Sequence, residues 1–353
     1  MRPRLMRPDN FTPPTRTPWG GRFIVERLKR GLQLGAGAHH HCVGESWEVS
    51  VEPSFPSRFL DDGLLGDAIA IDPAAWLGVD AKRHASQTPL LVKLLDAAAN
   101  LSVQVHPTTD DPALRSDESG KPEAWYVLAA EPGAGLYLGF ADGVQRPHVA
   151  QCLQAGGPLD ELMNFVAVAP GDAFLLGAGT VHAIGAGVTL LEPQFVTPGR
   201  RGVTYRYWDW NRRYDDRGQV SPTGRSRPLH VERSLAVTAW NGPRGADAIA
   251  ACRALPTTLR DGPLTRTRIL SWPYFELERW AGSGSLALPA QDTLLAITCV
   301  AGAADLHSDA GSIRIHRGLS AVVPAAAGAV VIENRPHPLD GPGDVELLVT
   351  RTR

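Results

Sequence analysis

From Pro18 onward the chain is cut into short apolar or alternating runs by glycine, proline and aspartate, and this punctuation limits the fold more than any other feature. Ser46–Val51, Leu90–Leu94, Leu101–Val105, Ala124–Leu128, Gly135–Phe140, Phe165–Val168, Ala173–Leu176 and Val188–Leu191 are such runs. Their length and their β-branched and aromatic content favour strands over helices. Arg58–Gly78 and Arg146–Asn164 instead have helical spacing, with Val149, Leu153, Leu159, Leu162 and Met163 forming an apolar stripe in the second. Gly156-Gly157-Pro158 interrupts that stripe and predicts two short pieces. Many strands with few helices make a mostly β protein, a barrel or sandwich decorated by short helices.

A chain of 353 residues calls for two compact domains, or one large one with an appendage. Residues 1–18, rich in proline and arginine, read as an irregular lead-in. Residues 19–256 form the expected first domain, with helical insertions. Within it, Trp208–Pro228 is polar, charged and turn-rich. Residues 257–353 read as a small C-terminal β-domain. A faint repeat links the two: Gly171–His182 runs Gly-Asp, four residues, a turn, Gly, two residues, His. Gly318–Pro324 copies its first half, with Ala329 where the histidine would fall.

A net charge of −2 excludes a general nucleic-acid binder, which needs a basic face to displace counterions. No stretch approaches the roughly 18 unbroken apolar residues of a membrane span, and no apolar segment follows the basic N-terminus as a signal peptide requires. Cys42, Cys152, Cys252 and Cys299 form no CxxC pair, which suits buried thiols in a reducing compartment, the cytoplasm.

In Leu101–Pro107, a strand would put Ser102, Gln104 and His106 on one face and Leu101, Val103 and Val105 on the other. Gln104 and His106, two residues apart, can then reach one metal ion; a half-exposed strand with its polar face in water fits equally well. Glu123 opens an apolar strand in Gly120–Tyr126, a place where a lone carboxylate is usually a solvated strand end. His182 follows a glycine-rich turn in an apolar hairpin and needs a partner, since burying an unpaired imidazole is costly. Together Gln104, His106, Glu123 and His182 offer two imidazoles, a carboxylate and an amide oxygen. That set suits Zn2+, with other divalent metals possible.

The strings PLLVKLLDAAANLSVQVHP (Pro89–Pro107), GKPEAWYVL (Gly120–Leu128) and GDAFLLGAGTVHAIG (Gly171–Gly185) resemble those of the class I mannose-6-phosphate isomerases. These are zinc-dependent aldose–ketose isomerases of the cupin superfamily. The likeness runs in consistent order from Pro18-Trp19-Gly20-Gly21 through Gly44-Glu45-Ser46-Trp47-Glu48 to about Arg212, over half the chain. It implies two cupin, or jelly-roll, β-barrels, the second without metal ligands. It also implies one zinc ion per chain on Gln104, His106, Glu123 and His182, and a sugar phosphate as substrate. Whether the protein is a monomer or a dimer stays open.

The implied reaction interconverts mannose 6-phosphate and fructose 6-phosphate through a cis-enediol. The resemblance marks Glu192, Arg206 and Lys121 as catalytic candidates. Arg206 would stabilise the enediolate, and Glu192 would be a base or a hydrogen-bonding neighbour. Lys93 and Ser102 are candidates for holding the phosphate, with Lys121 and Arg206 as further substrate ligands. A lysine inside LLVKLL must find an anion or reach for water, whereas Arg206 could equally be a surface ion pair. The stretch Pro193–Gly202 is longer and more basic than the family pattern, and Gly177 stands where a proline is usual. His39-His40-His41 reads as a loop or strand edge rather than a second metal site, since adjacent side chains diverge. Two other readings stay in view, a non-catalytic sugar-binding cupin and a metal-dependent cupin oxidoreductase. Gln104 and Glu123 beside Lys121 speak against the latter, because iron oxygenases favour two histidines and one carboxylate.

Overall fold

The computed structural model describes residues 1–35, 42–337 and 343–353, so His39-His40-His41 lies outside the described residues. All eight residues of Leu90–Ala97 are buried, because the sheet containing this strand is covered on both faces. Leu90, Val92 and Leu94 enter an apolar cluster shared with the C-terminal half, whereas Leu95 and Ala97 face the interior of the N-terminal half. The two-residue period of a strand thus turns Lys93 inward, beside Leu95.

That sheet has the order Glu45–Val49, Leu90–Ala97, Val188–Phe195, Glu123–Ala130, Ala173–Leu176. A second sheet has the order Tyr205–Trp208, Val103–Val105, His182–Ile184, Gly135–Phe140, Met163–Ala167. Trp125, Val127 and Leu190 of the first meet Leu136, Leu138 and Ile184 of the second in one core. The expected barrel is therefore a two-sheet jelly-roll sandwich: the edge strands of one sheet do not hydrogen-bond to those of the other.

The C-terminal sandwich repeats nine of these ten strands, with no counterpart to the Tyr205–Trp208 edge. Leu264–Ser271, Phe275–Gly282, Val345–Thr352, Leu295–Ala301 and Ser320–Val323 lie side by side like the first sheet, and Ser285–Leu288, Val330–Arg335, Ala303–Ser308 and Gly311–His316 like the second. Cross-strand pairing sets Leu288 against Val330 where the first sandwich has Gln104 against His182. Ala329, where the repeat placed the missing histidine, directly precedes the Val330 strand. Both replacements are buried in the second core, so apolar packing takes the place of ligands there. Thr257–Arg260 adds an outer strand.

The lead-in has little regular structure but is anchored. Arg4–Leu5 pairs with Val322 and Ala321, and Met6 is fully buried. The outer faces of the two large sheets meet through Val92, Leu94, Tyr126 and Leu191 on one side and Ile269, Leu277, Ala296 and Leu348 on the other. Each fully buried side chain of this kind contributes about 1.5–3 kcal/mol. Helical residues are few, and the Gly156-Gly157-Pro158 break separates Arg146–Gln154 from the single turn Leu159–Leu162 as its composition requires. Met163 and Asn164, expected in the helix, begin a strand. All four cysteines are thiols, but only Cys252 and Cys299 are buried; Cys152 is half-buried and Cys42 exposed.

Candidate metal centre and active site

Val103–Val105, between the His182 and Tyr205 strands, sets Gln104 opposite both His182 and Arg206. His106 follows directly, and its backbone carbonyl accepts a hydrogen bond from Gly179 N–H at 2.9 Å. Gly179 has φ 79°, and a Cβ there would meet Ala239 N at 2.9 Å. The turn before His182 thus needs a residue without a side chain. Glu123 opens its strand fully buried, not solvated.

The three groups converge. His182 Nε2 is 3.1 Å and His106 Nε2 3.3 Å from Glu123 Oε1. His106 Nδ1 donates to Val203 O and His182 Nδ1 to Thr180 O, each at 2.9 Å. Both rings therefore present the Nε2 lone pair, the orientation a metal ligand needs. Burial pushes the His106 imidazole down to about 4, favouring the neutral form. Burial opposes ionisation of Glu123, but Lys121 and His106 hold its carboxyl well below the usual range. Two lone pairs and a carboxylate oxygen facing one another repel unless a cation lies between them. His106 Nε2 and Glu123 Oε1 are in fact buried without hydrogen-bond partners. The Gln104 amide nitrogen is 3.3 Å from His182 Nε2, and a half-turn of the amide would present its oxygen at the same place. The residues fit a divalent cation, and the donor set suits zinc.

A cavity of about 210 Å³ opens over this centre, with Gln104 in its floor. Lys93, Ser102, Lys121, Glu192 and Arg206 all line it, so every catalytic and substrate-binding candidate from the sequence reaches one space. Lys93 Nζ lies 3.8 Å from Glu45, 3.6 Å from Glu192 and 4.5 Å from the centre of the Trp47 ring. It has found its anions inside the protein. Glu192 Oε1 accepts Trp125 Nε1–H at 3.0 Å. Burial and the nearby Glu123 raise its carboxyl above the ordinary value, against the opposing pull of Lys93 and Lys121. Lys121 Nζ is 3.1 Å from Glu123 Oε2; burial disfavours its charge, but Glu123 and Glu192 win and its ammonium is raised. Arg206 is no surface ion pair: its Nε donates to Ser102 Oγ at 3.0 Å and its Nη1 to Pro228 O at 2.9 Å.

The basic stretch after Glu192 folds beside the site. Arg201–Gly202 runs parallel to Glu118–Ser119, and Arg201 pairs with Asp117 and Glu118. A Cβ on Gly202 would come within 2.9 Å of Lys121 Cδ, so this glycine lets the loop close over the lysine stem.

Glu45, Trp47, Gln194 and Arg227 also line the cavity, and sequence reasoning gave them no role. Gln194 carried a readable signal, since it stands two residues from Glu192 on one strand. Its Nε2 donates to Glu123 Oε2 at 2.8 Å.

Residues 19–130 match the family model described as phosphomannose isomerase type I, catalytic domain. A mannose-6-phosphate isomerase of Streptococcus mutans is 31% identical over 284 residues, 80% of this chain and 81% of that protein. The crystal structure of the mannose 6-phosphate isomerase from Bacillus subtilis superposes with a TM-score of 0.79 at 21% identity, over 99% of each chain. A zinc-bound mannose 6-phosphate isomerase superposes with a TM-score of 0.71 at 18% identity over 100% of both. With that identity sustained over most of both sequences, the chain belongs to the type I phosphomannose isomerase family.

Proposed function

We propose that the protein interconverts mannose 6-phosphate and fructose 6-phosphate, using one zinc ion held by Gln104, His106, Glu123 and His182. The observation that carries this reading is the pair of Nε2 lone pairs aimed at a buried carboxylate beneath a cavity lined with acid, lysine and arginine. Membership of the family and the zinc bound by a structural neighbour support it. Bound there, the ion supplies Lewis acidity toward the substrate oxygens.

The chain's own residues account for the rest. Glu192, with its raised carboxyl, takes the proton from C2 of the aldose as the C1–C2 double bond forms and O1 gains the electron pair. It returns that proton to C1 on the same face as the C2 carbonyl forms, while the proton of O2 passes to O1. Lys121 and Arg206 offer N–H donors to the two oxygens while negative charge develops. Trp125 fixes the Glu192 carboxylate in position. Lys93 faces two carboxylates, and it serves as a counter-charge lining the sugar pocket as well as a candidate substrate ligand.

Incubating the purified protein with mannose 6-phosphate should yield fructose 6-phosphate, and a chelator should stop it. His106→Ala should lose metal and turnover together. A metal-loaded protein that forms no ketose would refute the isomerase reading, and full turnover in the metal-free His106→Ala protein would refute the site.

A further inference from the structure

Between Glu192 and Arg206 the chain makes a basic strap, residues 197–203, to which the proposed reaction gives no role. One backbone atom of the strap touches the metal centre: Val203 O accepts His106 Nδ1–H at 2.9 Å. That bond keeps the proton on Nδ1 and leaves the Nε2 lone pair toward Glu123. The orientation of a buried imidazole therefore depends on what holds the strap in place.

Two sets of contacts hold it. The outer set is carried by arginine: Arg201 pairs with Asp117 and Glu118, and Arg200 Nη1 donates to Glu118 O at 3.4 Å. The Arg201 and Asp117 side chains are 46% and 57% exposed. Ion pairs that open to water change an equilibrium constant by less than about fivefold. The inner set centres on Ser119, which is fully buried. Ser119 O accepts Val203 N–H at 2.9 Å, at the end of the strap. Its Oγ accepts Thr197 N–H at 3.1 Å and lies 2.9 Å from Thr197 Oγ1, at the start. The hydroxyl proton has Thr197 Oγ1 or Gly120 O, 2.7 Å away, as its acceptor. One buried residue thus grips both ends of the strap, in the segment that leads to Lys121 and Glu123. Without the hydroxyl, Thr197 N–H loses its acceptor, which costs more than a surface ion pair contributes.

We propose that Ser119 is a positioning residue for the metal centre: it pins residues 197–203 so that the Val203 carbonyl holds the His106 ring with Nε2 toward the ion. This rests on the reading of His106, Glu123 and His182 as a metal site. The effect passes along one chain of contacts, from Ser119 to the strap and from Val203 O to His106. The same strap keeps Gly202 against the Lys121 stem, where a Cβ would lie 2.9 Å from Cδ. Lys121 has little freedom to yield, because it is buried and its Nζ is 3.1 Å from Glu123 Oε2.

Chelator competition should find zinc bound about tenfold to a hundredfold more weakly by Ser119→Ala, the range for losing a partner that orients a metal ligand. Loaded with Co2+ in place of zinc, this variant should also shift the visible bands that report ligand geometry. A loss of stability alone would leave those bands where they are. Ser119→Thr keeps the hydroxyl and should bind zinc more tightly than Ser119→Ala. Arg201→Gln should weaken zinc less than about fivefold, and the difference should vanish near ~1 M salt. If Ser119→Ala fails to fold, Gly202→Ala carries the test, because its Cβ pushes the strap off Lys121 and should weaken zinc by the same route. Unchanged zinc affinity and cobalt bands in the folded variant would overturn the positioning role and leave the isomerase reading intact. An Arg201→Gln loss as large as that of Ser119→Ala would do so too. A wild type whose zinc affinity depends on Ser119 but which forms no ketose would refute the isomerase reading alone, and one that binds no zinc would refute both.

Discussion

Glu192 and Gln194 stand two residues apart on one strand and look into one cavity, with different consequences. Glu192 is a buried carboxylate held by a single indole N–H and flanked by Lys93. Glu192→Gln preserves the shape and the Trp125 contact but removes the base. We expect kcat to fall by about 10²–10⁴-fold with zinc content unchanged, measured by steady-state kinetics alongside metal analysis. A variant that keeps wild-type kcat would remove Glu192 from the mechanism. Gln194 touches the centre only through Glu123 Oε2, and its own Oε1 is buried without a partner. Gln194→Leu should weaken zinc about tenfold to a hundredfold, as losses of groups that orient metal ligands do; chelator competition reads this, and unaltered affinity would mean that Lys121 alone orients Glu123. The four proposed ligands were legible only as a set, since Gln104 and Glu123 each fit a bland reading when taken alone. Glu45, Trp47 and Arg227 were not, because nothing in their neighbouring residues shows that strands far apart in the chain bring them to one cavity.

At the scale of elements, strand centres were readable and strand ends were not. Val188–Leu191 continues to Phe195 through Pro193, which lacks the N–H a central strand normally offers. The ladder to the Glu123 strand passes from Leu191 opposite Tyr126 to Gln194 opposite Glu123 without a pair at Pro193. Asp96, near the end of the Leu90 strand, makes another link that the sequence hides. Its Oδ2 accepts Phe23 N–H at 2.6 Å and Ile24 N–H at 3.3 Å, fastening the short helix Ile24–Leu28 to the sheet. Gly21 packs against it so closely that a Cβ would lie 2.6 Å from both carboxylate oxygens. Burial raises the Asp96 carboxyl from 3.8 to about 6, outweighing those N–H donors. A raised carboxyl stabilises the fold fully below pH 3.8 and ceases to do so as pH climbs through 6. The shift is worth at most about 3 kcal/mol. Asp96→Asn imitates the neutral form, so its thermal midpoint should match the wild type near pH ~3 and exceed it near pH ~8. A gap that does not widen with pH would show that Asp96 is ionised throughout.

Across the whole molecule, a repeated nine-strand plan has been used twice, once around a metal centre and once around Leu288 and Val330. The halves meet through two large sheets, and a polar seam crosses that apolar contact. Lys29, fully buried, donates to Glu48 Oε1 at 2.6 Å, to Pro8 O at 2.6 Å and to Ser46 Oγ at 3.1 Å. Glu48 Oε2 accepts Ser320 Oγ–H at 2.7 Å from the other sandwich. Composition could not foretell such a seam, because its members lie in the lead-in, the short helix that follows it, the first sheet and the C-terminal domain. Lys29→Met leaves Glu48 charged and uncompensated in the interior, which should destabilise the protein by about 3–5 kcal/mol. Replacing both, Lys29→Met with Glu48→Leu, removes the stranded charge and should recover most of that loss, although Ser320 then loses its acceptor. Denaturant unfolding of the zinc-loaded wild type, the two single variants and the double variant closes the cycle. Because Glu48 belongs to one sandwich and Ser320 to the other, the loss should appear as a shift of one transition shared by both halves. A double variant no more stable than Lys29→Met would mean that the seam is held by packing rather than by charge, and separate transitions for the two halves would mean that the seam does not couple them.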